Sequence, residues 1–247
     1  MRETALLFGK VLLRPSEALR ELFAESRTLA PSLLFFALYT AGAAAAAVFL
    51  PRSFMPEAPA LAFGRSFTAY LLAGAAGSAV NTLLAAAFLP RLAAVLARGR
   101  IGPRVLLGLG GTLAYFAALA LLKNYPAALA CAALAAAAAA FFAYQGEKSS
   151  FPAMLRVLLA SFAIGTAILP LEGLAILLSS SRLYELSVLA MALWYFVFLV
   201  KALRLAGGPG GPRAAAAVFL AMAASGLFLY NVSLLLPENM QALVMLF

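Results

Sequence analysis

Several residue types on which enzyme chemistry most often depends are absent from this chain or nearly so. The 247 residues include no histidine and no aspartate, all nine acidic residues are glutamates, and Cys131 is the only cysteine. Zinc and iron sites are usually built from clustered His, Cys or Asp, and general acid–base catalysis most often uses His. A single cysteine also excludes an internal disulfide framework. We therefore expect no metal, no cofactor and no enzymatic activity.

Charge is scarce as well. Charged residues make up 11% of the chain and hydrophobic residues 65%. A soluble domain of this length lacks the interior volume to bury so much apolar surface, so the composition predicts that a lipid bilayer is the solvent. The net charge of +9 could indicate nucleic acid. In a chain this apolar, however, basic residues typically flank membrane spans and meet anionic headgroups, so we expect lipid and no nucleic acid as a partner.

Long apolar runs predict about seven transmembrane helices, because roughly 20 helical residues cross the hydrocarbon core. The predicted spans are 29–50, 67–90, 105–122, 126–144, 157–179, 186–203 and 214–236. The third and fourth are rich in Ala and Gly and are joined only by KNYP, so 105–144 is either two full spans or a re-entrant hairpin. The predicted fold is all-α, a polytopic transmembrane helical bundle that comprises residues 29–247.

The basic residues predict an orientation for this bundle. With the N-terminus inside, 14 of the 18 basic residues fall in cytoplasmic segments and only four in outer segments. This asymmetry follows the positive-inside rule and predicts an N-in, C-out topology.

Residues 1–28 precede the first span and are too charged to cross a membrane. Their apolar residues recur at steps of three and four, the spacing of one helix face; they are Phe8, Val11, Leu12, Pro15, Leu19, Leu22 and Phe23. Pro15 and Ser16 divide the segment into two short helices. We expect an amphipathic helix that lies on the membrane surface or packs on the protein's own loops.

Glu172 is an acid inside the predicted span 157–179. It lies about 15 residues from the cytoplasmic end, or roughly 22 Å deep, where a carboxylate costs a few kcal/mol unless it is paired or protonated. Pro170 cannot donate to the carbonyl of Thr166, so we expect a kink or a helix break at Pro170 and Gly173. If the helix restarts, Glu172 takes its third position, where free N–H groups and the helix dipole favour an anion.

Small residues mark two helix-packing seams. In the second span Gly74, Ser78 and Asn81 are spaced by four and three, which predicts close helix packing with one hydrogen bond from Asn81. Gly165 lies on the same helix face as Glu172 and predicts a second seam. The glycines of GLGGT at 108–112 lack the context of a nucleotide-binding loop and also indicate helix packing.

Asn231 completes a candidate intramembrane polar site with Glu172 and Asn81. It lies about 17 residues into the last span, at a depth similar to that of Glu172, to which it could donate a hydrogen bond. Two interpretations stay open: Glu172 only stabilises a broken helix, or it binds a cation or proton in a transport path. The lack of a second carboxylate or a basic partner favours the first.

Three segments resemble the bacterial branch of the Yip1 domain family. They are LRPSEALRELFAESRTLAPSLLFFAL at 13–38, LRVLLASFAIGTAILPLEGL at 155–174 and LAMALWYFVFLVKALRLAGGPGGPRAAAAVFLAMAASGLFL at 189–229. The resemblance implies a polytopic membrane protein without enzymatic activity. Eukaryotic relatives act in membrane trafficking and bind small GTPases or other membrane proteins. The family usually has five spans, so 105–144 looks like an addition, and the acidic cytosolic motif of the eukaryotic branch is absent, so GTPase binding is not carried over.

The resulting hypothesis is a scaffold or partner-binding subunit of a bacterial inner membrane, which contacts another membrane protein or a second copy of itself. The alternative is a transporter or permease subunit with Glu172 and Asn81 or Asn231 in its polar path. A transporter predicts a cavity that reaches Glu172. A scaffold predicts a locally capped Glu172, a well-packed interior and a lipid-facing patch of small residues.

Overall fold

The computed structural model describes residues 2–24, 29–54, 66–237 and 241, and this part of the chain contains helices and no strand. The helices are α1 (Arg2–Leu13), α2 (Pro15–Phe23), α3 (Ala30–Phe49), α4 (Phe67–Ala97), α5 (Ile101–Leu122), α6 (Pro126–Gly146), α7 (Phe151–Leu177), α8 (Ser181–Leu205) and α9 (Gly211–Leu234). A 3-10 turn, Arg52–Phe54, follows α3. Seven of the helices, α3 to α9, are long and apolar enough to cross a membrane. The all-α, multi-pass membrane fold is thereby confirmed.

The helices at 105–144 are both long. α5 has 22 residues and α6 has 21, and three residues join them. Each is long enough to span, which favours two full spans over a re-entrant hairpin. Three other helices extend well beyond their predicted spans: α4 continues past Pro90 to Ala97, α7 begins at Phe151 rather than 157, and α8 begins at Ser181 rather than 186. Pro152 is tolerated in the first turn of α7, because the N–H it lacks would be unsatisfied there in any case.

Of the two predicted effects of Pro170, the helix break at Pro170 and Gly173 is wrong, whereas the kink stays a prediction. α7 is one helix through both residues, so Glu172 does not occupy a new helix N-terminus. Proline removes one backbone hydrogen bond, but Pro170 is exposed, whereas Ile168 and Glu172 on either side of it are buried. The packing of that buried face against the neighbouring helices holds the chain helical past the proline.

α7 is the central helix of the bundle. It packs most extensively against α3 and α8, and it also contacts α4, α1 and α2. α4 packs against α9 and α3 on another side. α5 and α6 lie at the periphery, where they contact α9, α4 and each other.

One end of the bundle, here called the α1–α2 end, gathers α1, α2, the last turns of α4 and the α6–α7 and α8–α9 connections. A single apolar cluster fills it, with Leu19 and Leu22 of α2, Leu96 of α4, and Leu158, Phe198 and Leu203 of α7 and α8 all buried. The apolar stripe of the N-terminal segment therefore packs on spanning helices rather than on loops. That it also lies on the membrane surface stays a prediction.

Polar contacts fasten the same end. Lys10 and Glu21 form an ion pair between α1 and α2. Arg156 Nε donates to the carbonyl oxygen of Leu22 at 2.9 Å, which joins α7 to α2. Arg213 of α9 donates to the carbonyl oxygen of Ala97 at 2.5 Å and to that of Gly99 at 3.1 Å. Basic side chains thus satisfy carbonyls that the last turns of α2 and α4 leave free.

Candidate functional site

Glu172 lines a cleft between α3 and α8, with α7 as its floor. The residue is 7% exposed, and the cleft has a volume of about 550 Å³. Tyr39 of α3 and Tyr184 of α8 lie close enough to interact electrostatically with the carboxylate. Apolar side chains form most of the remaining wall, among them Ala43, Ala46 and Ala47 of α3 and Val188 and Leu189 of α8.

The carboxylate of Glu172 is not capped. Because α7 continues through Pro170, the backbone N–H groups nearby belong to the helix ladder. Within the described residues Glu172 has no hydrogen bond and no ion pair. The expected stabilisation of Glu172 by a helix N-terminus is therefore absent, and the carboxylate faces the cleft without a hydrogen-bond or ion-pair partner among the described residues.

A second carboxylate, Glu185, lines the same cleft, so the prediction that Glu172 acts without another acid is wrong. Glu172 lies five residues before the end of α7 and Glu185 four residues after the start of α8. The connection between these helices is only three residues long, so the antiparallel pair places both carboxylates at one level. Glu185 escaped prediction because the sixth span was expected to begin at 186, just after it. The short connection between α7 and α8 is the feature of the sequence from which the position of Glu185 beside Glu172 could have been predicted.

Asn81 lies at a different place, in a central cavity of about 230 Å³ where α3, α4, α7, α8 and α9 converge. Ser78, Thr82 and Ser161 line it too. Thr82 Oγ1 donates to the Ser78 carbonyl and Ser161 Oγ to the Leu158 carbonyl, both at 2.6 Å. These hydroxyls are thus satisfied on their own helices. Asn81 forms no hydrogen bond to any described residue, contrary to the prediction of one across the seam.

Close packing does occur where the small residues predict it. Gly74 and Ser78 of α4 are buried, and so is Gly165 of α7. A Cβ atom built on Gly165 would overlap the ring of Tyr39. Only a glycine therefore lets α7 approach α3 this closely.

Asn231 does not contribute to the Glu172 cleft. It is fully buried, and its Nδ2 donates to the hydroxyl oxygen of Tyr115 at 2.7 Å, which joins α9 to α5. The Tyr115 hydroxyl donates in turn to the Ala132 carbonyl of α6 at 3.4 Å. Asn231 Oδ1 is buried without a partner among the described residues. The expected hydrogen bond to Glu172 is therefore not formed, and Glu172, Asn81 and Asn231 occupy three separate places.

Neighbouring cavities adjoin one another through shared side chains. The Glu172 cleft and the central cavity share Tyr39, Met191 and Ala192. The central cavity shares Asn81 and Tyr195 with a third cavity of about 280 Å³ between α4, α8 and α9. The apolar cluster fills much of the α1–α2 end, but a fourth cavity of about 570 Å³ opens beside it, lined by Phe23, Glu147, Ser150 and Leu203 among others. Cavities with polar lining therefore occur at both ends of the bundle.

The peripheral helix α5 presents a strip of small residues on its outer face. Gly110, Ala114 and Ala117 are exposed and spaced by four and three, so they share one side of the helix. Exposed leucines flank the strip, namely Leu106, Leu107 and Leu113. Of the glycines in GLGGT, only Gly108 packs within the chain: a Cβ on it would lie 2.7 Å from Leu220, whereas one on Gly110 or Gly111 would meet nothing within 4 Å.

Comparisons of the chain with protein-family models, with curated proteins and with solved structures found no match. The resemblance to the Yip1 domain family therefore stays a prediction from the three quoted segments.

Proposed function

We propose that this chain is a non-enzymatic protein of a bacterial inner membrane, similar to the Yip1 family, that acts as a scaffold or partner-binding subunit. The scarcity of catalytic residue types and the resemblance of the three segments support this proposal. The excess of basic residues on one side supports a cytoplasmic N-terminus. In that orientation the α1–α2 end faces the cytoplasm and the Glu172 cleft lies towards the outer surface.

The small-residue strip of α5 is the observation that carries the partner-binding proposal. Small residues allow two membrane helices to approach closely, and helix association in lipid depends on such packing. In the described part of the chain this strip stays exposed, because α5 meets α9 through its opposite side, where Gly108 faces Leu220. Leucines along both edges shape the strip into a shallow groove that fits one helix of another membrane protein or of a second copy.

Cysteine cross-linking in native membranes tests this proposal. Ala114→Cys, in a chain with Cys131→Ala, is oxidised and analysed for a discrete band of higher mass. We expect such a band when the rest of the strip is unchanged, and its loss when Gly110→Leu fills the groove. Gly111→Leu is the matched control, because Gly111 is also exposed on α5 with open space around it but lies about 100° around the helix. The proposal fails if the Ala114→Cys chain forms no cross-link, or if the two leucine variants behave alike.

The cavities favour a second candidate, a transporter that moves a cation or proton past Glu172. A cavity reaches the carboxylate, as this alternative predicts, and a second carboxylate lies beside it. In this case the apolar cluster at the α1–α2 end separates the Glu172 cleft from the opposite side of the bundle. This alternative is tested by reconstituting the chain into liposomes that enclose a pH-sensitive dye and measuring proton uptake under an imposed membrane potential. Uptake by the wild-type chain that Glu172→Gln abolishes supports transport, and equal leak through both chains and through empty liposomes rejects it.

A further inference from the structure

The Glu172 cleft has the charge and the depth to bind a lipid headgroup. Glu172 is more than nine-tenths buried, lines the cleft and forms no hydrogen bond or ion pair with any described residue. A carboxylate held in this cleft without a hydrogen bond or an ion pair is poorly compensated, so a cationic hydrogen-bond donor in the cleft would stabilise it. Glu185 adds a second negative charge at the same place. A ligand with a positively charged donor group fits these two side chains.

The depth of Glu172 and Glu185 along their helices limits which ligands the cleft could bind. The 27 residues of α7 extend over about 40 Å, whereas the hydrocarbon core of a bilayer is about 30 Å thick. Glu172 lies five residues, or about 8 Å, from the end of α7, and Glu185 lies about 6 Å from the start of α8. Both carboxylates therefore lie near one boundary between hydrocarbon and headgroups, the depth at which the ammonium groups of membrane lipids are found.

The shape of the cleft points to an occupant that arrives from the bilayer. Alanines of α3 and apolar side chains of α8 form its walls, and Val188, Leu189 and Ala192 on its α8 side are exposed to the surroundings of the bundle. At the end of the cleft the rings of Phe54 and Tyr184 lie against each other with centroids 5.5 Å apart. An acyl chain fits along such a wall, whereas a small soluble amine would leave it uncovered.

A basic side chain lies one helical turn before Glu185 on α8. Arg182 is exposed in the first turn of α8, three residues before Glu185, and residues with this spacing are neighbours on a helix surface. Among the described residues it forms no ion pair. Two carboxylates in the cleft and a guanidinium on the same side of α8 as Glu185 complement a headgroup that carries an ammonium and a phosphate.

We propose that the cleft binds an aminophospholipid, with the ammonium group between Glu172 and Glu185, the phosphate near Arg182 and an acyl chain along the apolar walls. This inference does not depend on the α5 strip. It assigns the cleft to a lipid and not to a transported ion.

Native mass spectrometry of the full chain tests the inference. The protein is released from micelles that contain equal amounts of phosphatidylethanolamine and phosphatidylglycerol with the same acyl chains. We expect selective retention of phosphatidylethanolamine, and about tenfold weaker retention in Glu172→Gln, because the amide cannot form a charge-assisted hydrogen bond. Glu185→Gln, on the exposed rim, should have a smaller effect in the same direction. Glu17→Gln is the matched control, since Glu17 is an acid at the α1–α2 end.

Several outcomes overturn the inference. Equal retention of the two lipids by the wild-type chain does so, and so does an unchanged preference in Glu172→Gln. Complete displacement of the lipid by soluble phosphoethanolamine would assign the cleft to a free amine instead. Retention of phosphatidylcholine as strong as that of phosphatidylethanolamine would also contradict the hydrogen-bonded placement, because its quaternary ammonium has no N–H.

Discussion

Alanine should have opposite effects at two glycines of α7, Gly165 and Gly173. At Gly165 an added Cβ would overlap the ring of Tyr39. This ring packs against Phe162, with the ring centroids 5.4 Å apart, and the Tyr39 hydroxyl donates to the sulfur of Met191 at 3.8 Å. At Gly173 an added Cβ meets nothing within 4 Å. The two positions therefore share a helix and a chemical change but differ in the space available.

The magnitude follows from two contributions to the free energy of unfolding. Replacement of a helical glycine by alanine stabilises a helix by up to about 1 kcal/mol at either position. Overpacking costs about 1–3 kcal/mol and applies only at Gly165. The Tyr39 ring borders two cavities into which it can shift, which favours the lower part of that range. We expect Gly173→Ala to be neutral or stabilising and Gly165→Ala to be less stable than it by about 1–2 kcal/mol.

Reversible unfolding in mixed detergent micelles measures this difference. In a Tyr39→Ala background, Gly165→Ala should lower the free energy of unfolding much less than it does in the wild-type chain, because the ring that it would overlap is gone. Equal unfolding free energies for Gly165→Ala and Gly173→Ala would refute the close approach of α7 to α3.

Two further contacts give predictions. Tyr115→Phe removes the acceptor for Asn231 and should destabilise the protein by about 0.6 kcal/mol, and by no more than about 1.7 kcal/mol, in the same unfolding assay, because these are the average and the maximum for interhelical hydrogen bonds in membranes; an unchanged stability would contradict this contact. Arg213→Gln should free the carbonyls at the end of α4 and speed tryptic cleavage of the α4–α5 connection, whereas Arg204→Gln, at an exposed arginine of α8, should not. Equal cleavage rates in the two variants would show that Arg213 does not hold that connection.

The number and order of the spans could be predicted from the sequence, because the length and the hydropathy of each apolar segment depend only on the residues within it. The ends were less predictable. α4 and α7 continue into segments with charged residues, since a helix is not obliged to end where the bilayer does. Arg91 lies inside α4 and Arg156 inside α7, where their long side chains extend to Glu147 and to a carbonyl of α2.

The polar residues illustrate what a single sequence does not contain. The depth of Asn231 along its helix suggested Glu172 as a partner, but a hydrogen bond also depends on which helices are neighbours, and α9 is next to α5. The effect of Pro170 depends on whether its ring faces lipid or a packed helix. Both facts are properties of tertiary packing.

The most direct test of this account is the accessibility of position 172. Glu172→Cys with Cys131→Ala is labelled in membranes with a water-soluble thiol reagent applied from each side. The control is Ala163→Cys in the same background, at a fully buried apolar position of α7. We predict rapid labelling of the Glu172→Cys chain from the outer side and no labelling of the Ala163→Cys chain. If the Glu172→Cys chain inserts and expresses normally but is not labelled, Glu172 is inaccessible to water and only stabilises the helix packing, and the open cleft is contradicted.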